Sequence, residues 1–208
     1  MVTFNIVLQE KEMEMAIRSD RERLLDIMKR EKALLYGNFT LSSGKRSSYY
    51  FDGKMISLHP EGAYLIGRIM FHLLADYQVD AVGGLGVGAD PLATSIAIAS
   101  YLEGKPISAF IVREQRKEHG TQKEIEGRCP KGGRVAIVDD VVTRGSSILK
   151  AIEAVEAQGC QVVKVIALLD RHEGGSDELK RKGYDFTAIF SADAAGEVTI
   201  GESPPITR

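Results

Sequence analysis

Residues 135–147 read VAIVDDVVTRGSS, and this stretch decides how the whole chain is interpreted. Four apolar residues precede the adjacent carboxylates Asp139 and Asp140, and a Thr-Arg-Gly-Ser turn follows at residues 143–146. An apolar run bounded in this way predicts a strand buried in a sheet, and the turn predicts the start of a helix. The first N–H groups of that helix, together with the hydroxyls of Thr143 and Ser147, could bind a phosphate.

The two carboxylates would repel a phosphate unless they bind another part of the same ligand. An ionised carboxylate accepts hydrogen bonds and the vicinal hydroxyls of a sugar donate them, so a sugar phosphate suits both halves of the motif. The residues alone leave one alternative open, an ordinary strand end with solvated carboxylates followed by a helix cap.

Segments of similar character continue on both sides of this stretch. Strands are predicted at residues 79–85, 107–112, 134–138, 162–169 and 186–190. Helices are predicted at about residues 90–101, with an Asp90-Pro91 start, and at about residues 146–157 and 176–182. This alternation predicts an α/β fold with a central parallel sheet flanked by helices, which binds ligands beyond the carboxyl ends of its strands.

The N-terminal part of the chain has a different pattern. A capping box at residues 19–22 predicts the start of an amphipathic helix that ends before Gly37. Residues 39–51 are aromatic-rich around a turn at residues 42–44, which is typical of a β-ribbon, and Pro60 then opens a second helix.

Composition limits the possible ligands and location. The chain has 208 residues, with 27 Lys and Arg against 29 Asp and Glu, so its net charge of −2 argues against a nucleic-acid-binding surface. Cys129 and Cys160 have no CxxC or His-spaced partner, so we expect neither a zinc site nor a disulfide framework. No apolar run is long enough for a membrane helix, and the N-terminus carries glutamates at 10, 12 and 14, so we expect a cytoplasmic protein with no membrane partner.

The stretch at residues 135–147 as a whole resembles the phosphoribosyl pyrophosphate (PRPP) motif of type I phosphoribosyltransferases. The resemblance implies that Asp139 and Asp140 hold the ribose hydroxyls at the reacting centre and that the following turn holds the 5′-phosphate. The implied PRPP contacts are Asp139, Asp140, Val141, Val142, Thr143, Arg144, Gly145, Ser146 and Ser147.

A second segment, between residues 113 and 128, is nearly all polar and too long for an ordinary turn. Its Arg-x-x-x-Lys-x-His-Gly pattern resembles the catalytic loop of orotate phosphoribosyltransferases, which closes over PRPP and crosses into the neighbouring subunit's site. The resemblance implies that Arg113, Lys117 and His119 contact the pyrophosphate, that Lys117 and His119 are catalytic, and that the protein is a homodimer. A solvated charged loop is the alternative.

Two further segments are similar to those that bind orotate in that family. Residues 39–52, FTLSSGKRSSYYFD, resemble its N-terminal hood, whose paired aromatics, here Tyr49 and Tyr50, would wall the pyrimidine. The strand end at residues 168–171 resembles the one whose arginine, here Arg171, pairs with the orotate carboxylate, and Thr143 would also contact orotate. Either tyrosine could instead be a core residue, and Arg171 could instead form only an ion pair with Asp170.

The resemblance implies a single type I phosphoribosyltransferase domain over residues 1–208. Helix and hood elements would occupy about residues 19–60, the core α/β sheet about residues 61–190, and a C-terminal tail residues 191–208. The implied reaction joins orotate and PRPP to give orotidine 5′-monophosphate and pyrophosphate, with Mg²⁺ bound mainly through PRPP and water rather than directly by the protein.

The chain departs from the family pattern at three places. Ser42 and Glu114 stand where many members have lysine, and GVGADP at residues 86–91 replaces a frequent Lys-Gly strand end.

Three other functions fit parts of the sequence. Residues 84–89 satisfy a loose dinucleotide-binding fingerprint, but no acidic residue ends the next strand as a dehydrogenase would require. A purine phosphoribosyltransferase and a PRPP-sensing regulator are the remaining alternatives.

Overall fold

The computed structural model describes residues 2–40, 46–114 and 124–201, with residues 2–10 described in their backbone only. Its helices are α1 (Val2–Arg30), α2 (Lys54–Ser57), α3 (Pro60–Leu73), α4 (Gly86–Leu102), α5 (Ser146–Glu156) and α6 (Gly175–Arg181). Its strands are β1 (Leu34–Thr40), β2 (Arg46–Phe51), β3 (Ala81–Leu85), β4 (Ser108–Val112), β5 (Ile125–Gly127), β6 (Arg134–Val142), β7 (Gln161–Asp170), β8 (Phe186–Ala192) and β9 (Val198–Ile200).

The main sheet confirms the predicted central parallel architecture. Its strand order is β5-β4-β3-β6-β7-β8-β9, with β4, β3, β6, β7 and β8 parallel and the short strands β5 and β9 antiparallel at the two edges. Strands β1 and β2 form the separate antiparallel ribbon expected from the aromatic-rich segment. The carboxyl end of β6 therefore lies in the middle of the sheet.

Helices cover both faces of the sheet because the side chains of a strand alternate between its faces. In β6, Ala136 and Val138 belong to the core shared with α1, α3 and α4, whereas Val135 and Ile137 belong to the core under α5 and α6. All four side chains are completely buried. A strand that is apolar on both faces is therefore required here, and the sequence supplies it.

Helix α1 begins and ends earlier than predicted. It starts at Val2 rather than at the capping box, so Ser19 lies in its interior, and the residues before Ser19 include no glycine or proline that would stop a helix. It ends at Arg30, because Lys32 adopts a φ of +53° and the Ala33 N–H donates to the Met28 carbonyl at 3.0 Å, a common helix ending.

Helix α4 also begins earlier than predicted, at Gly86 rather than at Asp90. Gly86 has a φ of +76°, which favours glycine and allows β3 to pass directly into the helix. Pro91 consequently lies inside the helix rather than in its first turn.

Three short elements were not predicted, and one predicted strand is longer than expected. Strand β5 lies in the polar segment, β9 lies in the region taken as a tail, and α2 follows the ribbon. Strand β6 continues to Val142, because its pairing with β7 extends to Val142 opposite Asp170. Asp139 and Asp140 are therefore held by the sheet rather than by a loop.

The two cysteines are neighbours in space although 31 positions separate them in sequence. Their Sγ atoms lie 3.7 Å apart as free thiols, and Cys160 also donates to the Pro130 carbonyl at 3.2 Å. Burial, followed by the interaction with Cys160, raises the pKa of the Cys129 thiol, which keeps it protonated. Among the described residues, no helix has the length and apolar character needed to cross a bilayer.

Candidate active site

The acidic pair lies at the carboxyl end of β6, where the sequence places it. Asp139 is buried, and its carboxylate accepts hydrogen bonds from the Ser147 hydroxyl at 2.5 Å and from the Asp140 N–H at 3.0 Å. Ser147 belongs to the first turn of α5, so this contact ties the strand end to the helix start.

The turn between β6 and α5 has the geometry of an anion-binding site. Gly145 has a φ of +75° and stands immediately before α5, whose first N–H groups have no acceptor within the helix. The N–H of Gly175 donates to the Thr143 carbonyl at 2.9 Å, and a side-chain carbon on Gly175 would lie 2.7 Å from that oxygen. The start of α6 thus supports the turn from below, leaving Arg144 and Ser146 exposed.

Two glycines enclose the carboxylate of Asp140, and sequence reasoning missed both. A side-chain carbon on Gly88, in the first turn of α4, would lie 2.5 Å from Asp140 Oδ1. One on Gly53, which immediately precedes α2, would lie 2.8 Å from Asp140 Oδ2. Three elements therefore converge on this one carboxylate, and only glycine leaves room for it at both positions.

Both carboxylates are harder to ionise than exposed ones. Burial first, and then the neighbouring charge of Asp140, raise the pKa of Asp139 to about 7, against the opposing effect of the Ser147 hydrogen bond. Burial also raises the pKa of Asp140, but the positive charge of Lys54 opposes that effect. Lys54 is a residue of this site that carried no recognisable signal in the sequence.

The neighbouring strand brings Arg171 to the same edge of the sheet. The Arg171 N–H donates to the Val142 carbonyl at 3.0 Å, which places this arginine directly beside the end of β6. Its side chain is buried, with Nη2 donating to the Ser47 hydroxyl at 2.9 Å and Nε lying 2.9 Å from Glu173 Oε1 as an ion pair rather than an aligned hydrogen bond.

Arg171 does not pair with Asp170, which was the alternative reading. Asp170 instead accepts from the backbone N–H of His172 at 2.9 Å, while Glu173 is the counter-ion of the arginine. The ribbon of β1 and β2, called the hood ribbon below, supplies two further contacts of Arg171, from Ser47 and Tyr49 of β2. Strand β2 and the end of β7 therefore form one surface.

The two tyrosines of the hood occupy different environments. Tyr49 is buried, with its ring 4.2 Å below the guanidinium of Arg171, and it also covers Gly196. Tyr50 points to the other face of the ribbon, is 38% exposed and lies against Phe39 with ring centroids 5.7 Å apart. Tyr49 is thus a core residue that supports Arg171, and Tyr50 is the aromatic with an accessible face.

Lys117 and His119, the other predicted catalytic residues, lie outside the described residues, as does Ser42. Arg113 is described: its N–H donates to the Glu124 carbonyl at 2.9 Å, and its Nε lies 3.5 Å from Glu126 Oε1. Glu114 is close to the start of α4, with its Oε1 3.6 Å from where a side-chain carbon on Gly86 would lie.

Comparison with known proteins agrees with this site. A family model described as the phosphoribosyl transferase domain matches residues 52–193, more than half of the chain. The matched region contains the acidic pair, the turn before α5 and Arg171. The fold and the site together define a type I phosphoribosyltransferase.

The similar proteins within that class point to one particular family. An orotate phosphoribosyltransferase of Aquifex aeolicus is 43% identical over 173 residues, covering 82% of this chain and 94% of the relative. The chain belongs to the orotate phosphoribosyltransferase family.

Solved structures support the same assignment. The Mycobacterium tuberculosis orotate phosphoribosyltransferase in complex with Fe(III) dicitrate has a TM-score of 0.73 and 38% identity, covering 83% of this chain and 96% of that one. The same enzyme in complex with PRPP has a TM-score of 0.68 and 33% identity, covering 83% of this chain and 89% of that one.

We predict that Asp139→Asn stabilises the protein at pH 8 more than at pH 5. An acid whose pKa rises on folding stays neutral in the folded protein at low pH. Its burial then costs free energy progressively as the pH rises from the ordinary pKa of about 4 towards the folded value of about 7. Chemical denaturation at pH 8 should show a free energy of unfolding roughly 2–4 kcal/mol higher for Asp139→Asn than for the wild type.

The matched control is Asp26→Asn, which changes an exposed carboxylate on α1 and should leave the free energy of unfolding nearly unchanged at both pH values. Equal destabilisation of Asp139→Asn at pH 5 and pH 8 would show that Asp139 is held for its hydrogen bonds and not at an electrostatic cost.

Proposed function

We propose that this chain transfers the 5-phosphoribosyl group from PRPP to orotate, giving orotidine 5′-monophosphate and pyrophosphate in de novo UMP biosynthesis. The observation that carries the proposal is the placement of Arg171 directly beside the acidic pair and the phosphate-binding turn. One edge of the sheet thus offers a partner for ribose hydroxyls, one for a phosphate and one for a carboxylate.

In the proposed mechanism the acidic pair and the turn before α5 bind the phosphoribosyl group. Asp139 and Asp140 accept hydrogen bonds from the ribose hydroxyls, and residues 143–147 surround the 5′-phosphate with N–H and hydroxyl donors. Breaking the bond to pyrophosphate leaves positive charge on the ribose, which the ionised carboxylates stabilise. Catalysis then depends on positioning and electrostatics and needs no covalent nucleophile.

Orotate would occupy the space beside Arg171. The guanidinium is planar and can bind a carboxylate through two parallel hydrogen bonds. Ser47, Glu173 and the Tyr49 ring hold it in place from three sides. Tyr50 would then border the pyrimidine with its exposed face, and Thr143 would contact it from the β6 side. A purine base has no carboxylate to satisfy this arginine, which favours orotate as the acceptor.

The leaving pyrophosphate would be bound by Arg113, Lys117 and His119. Mg²⁺ would accompany it, bound mainly by phosphate oxygens and water, and would neutralise part of its charge. Asp139 and Asp140 would hold the ribose hydroxyls rather than the metal ion.

The active enzyme would be a cytoplasmic homodimer in which the polar segment between Arg113 and β5 of one subunit reaches the site of the other. Large apolar side chains on α3 and α4 are exposed in the single chain, including Tyr64, Ile98 and Leu102, and a second copy could cover such a surface.

We predict that the purified protein consumes orotate, followed by its ultraviolet absorbance, only when PRPP and Mg²⁺ are both present. Hypoxanthine, adenine and uracil serve as control acceptors and should not react, since none carries a carboxylate for Arg171. If a purine is consumed instead of orotate, the acceptor is a purine. If PRPP binds and no base is consumed, the protein is a regulator.

We predict that Lys117→Ala lowers kcat by roughly 10²–10³ without changing the melting temperature, the expected loss for one preorganised charged donor. A second experiment mixes Lys117→Ala subunits with Asp139→Asn subunits, which lose the charge of one proposed ribose-binding carboxylate and which we also expect to be nearly inactive alone. Random exchange should restore about a quarter of wild-type activity, because half of the dimers are mixed and each has one intact site. Near-normal turnover of Lys117→Ala, or no recovery on mixing, would contradict the shared site.

We predict that Arg171→Ala raises the KM for orotate roughly 10- to 100-fold while the Kd for PRPP stays within about twofold, since a charge-assisted hydrogen bond is lost from one substrate only. Arg171→Lys keeps the charge but not the planar fork and should recover little. Arg181→Ala, on the exposed surface of α6, is the control. Equal loss of orotate and PRPP binding would assign Arg171 a structural role.

A further inference from the structure

The turn formed by Asp52, Gly53 and Lys54 packs against Asp140. Gly53 is so close to the Asp140 carboxylate that a side-chain carbon there would lie 2.8 Å from both its Cβ and its Oδ2. The turn is anchored by the Asp52 N–H, which donates to the Ala33 carbonyl at 2.8 Å. Lys54 therefore stands one residue from the point of contact, on a backbone whose position is fixed.

Asp52 holds the side chain of Lys54. One oxygen, Asp52 Oδ1, accepts from Lys54 Nζ at 2.7 Å and from the Lys54 backbone N–H at 3.1 Å. The Lys54 side chain is 41% exposed, so its ammonium is held in place while remaining open to solvent and to a ligand. An ordinary surface lysine would sample many conformations, and this one is restrained next to the acidic pair.

The charges around Asp140 explain why a cation is needed there. Its acidic neighbours are Asp139 and Asp52. Within residues 2–40, 46–114 and 124–201, Lys54 is the cation whose charge acts on it, the Val141 N–H adds a backbone donor, and Tyr50 interacts with Lys54. Burial and the Asp52 charge oppose ionisation of Asp140, whereas Lys54 favours it. A protonated Asp140 would carry a donor on one of its two oxygens and would have no charge, so it would bind two ribose hydroxyls less strongly than the carboxylate does.

We propose that Lys54 is a positioning residue of the phosphoribosyl site, where its ammonium, held by Asp52, keeps Asp140 ionised and able to accept hydrogen bonds from the ribose. This role rests on the proposed function, because it assigns Lys54 to the binding of PRPP. Asp52 has two opposing effects: it orients the ammonium, and its own negative charge weakens the effect of Lys54 on Asp140.

The test compares Lys54→Met and Asp52→Asn, two neighbouring substitutions with opposite expected effects. Loss of the cation should move the acid limb of kcat/KM for PRPP to higher pH by about half to one unit. Asparagine at position 52 keeps the Oδ1 acceptor that holds the ammonium and removes only the negative charge, so Asp52→Asn should move the limb to lower pH. At pH values below the acid limb the Lys54→Met variant should therefore lose roughly 3- to 10-fold in kcat/KM, and it should recover most of that loss at pH values above the limb. Lys54→Arg should resemble wild type, and Lys105→Met, an exposed lysine far from the site, is the control.

A second readout does not depend on turnover. Carbon NMR of the Asp140 carboxylate, measured in an Asp139→Asn background because two coupled acids titrate as a pair, reports the pKa of Asp140 in the unliganded protein. We expect a higher pKa with Lys54→Met and a lower one with Asp52→Asn.

The outcomes separate the two proposals. Wild-type protein that fails to consume orotate overturns the proposed function, whatever the NMR titration shows. An active wild type in which the two variants shift the acid limb in the same direction, or leave it in place, overturns the role of Lys54, and so does an Asp140 pKa that neither substitution changes.

Discussion

Two adjacent carboxylates buried at the end of a central strand are the constraint on which this site depends. Removing an ionised group from water costs several kcal/mol unless other groups stabilise the charge. The protein surrounds the acidic pair with the Ser147 hydroxyl, backbone N–H groups and the ammonium of Lys54. Even so, the pKa of Asp139 rises to about 7, so the stabilisation is only partial. A ligand that donates hydrogen bonds to both carboxylates would complete it.

The same constraint explains the glycines around the site. Gly53, just before α2, and Gly88, in the first turn of α4, both lie so close to Asp140 that a side chain at either position would displace the carboxylate. Close packing excludes water from the carboxylate and so raises the cost of its charge, but it also holds each oxygen in one place. The carboxylates proposed to bind the ribose are therefore held in fixed positions but are harder to ionise, and the positive charge of Lys54 partly counteracts this effect on Asp140.

Arg171 is a buried positive charge at the same edge of the sheet as the acidic pair. Its guanidinium is buried between Glu173, Ser47 and the Tyr49 ring. Glu173 balances its positive charge in the free protein, and the three contacts orient it for a planar anion. Tyr49 contributes through this contact and not as an exposed wall. The contacts of the hood ribbon with the end of β7 thus orient the arginine side chain, and the Arg171 N–H, which donates to the Val142 carbonyl, ties its backbone to the end of β6.

The parts of the fold and site that were predictable from sequence are those with a local pattern. The apolar run of β6, its two carboxylates and the Gly145 turn are consecutive, so strand, charge and helix start can be interpreted together. Lys54 and Asp140 are separated by 86 positions, and nothing near Lys54 in sequence shows that the hood folds over the end of β6. The start of α1 was missed for a related reason, since a capping box inside a continuous helix has the same letters as one at its beginning.

The net charge of −2 argues against a broad anion-binding surface, yet the proposed substrates are strongly anionic. The structure reconciles these facts because charge at the site is balanced locally: Lys54 with Asp52, and Arg171 with Glu173. Each cation is held by its own carboxylate before any ligand arrives. At Lys54 and Arg171 an anionic ligand therefore competes with an internal anion, and only a ligand whose shape satisfies several groups of the site at once can gain from the exchange. Selectivity then follows from geometry more than from overall charge.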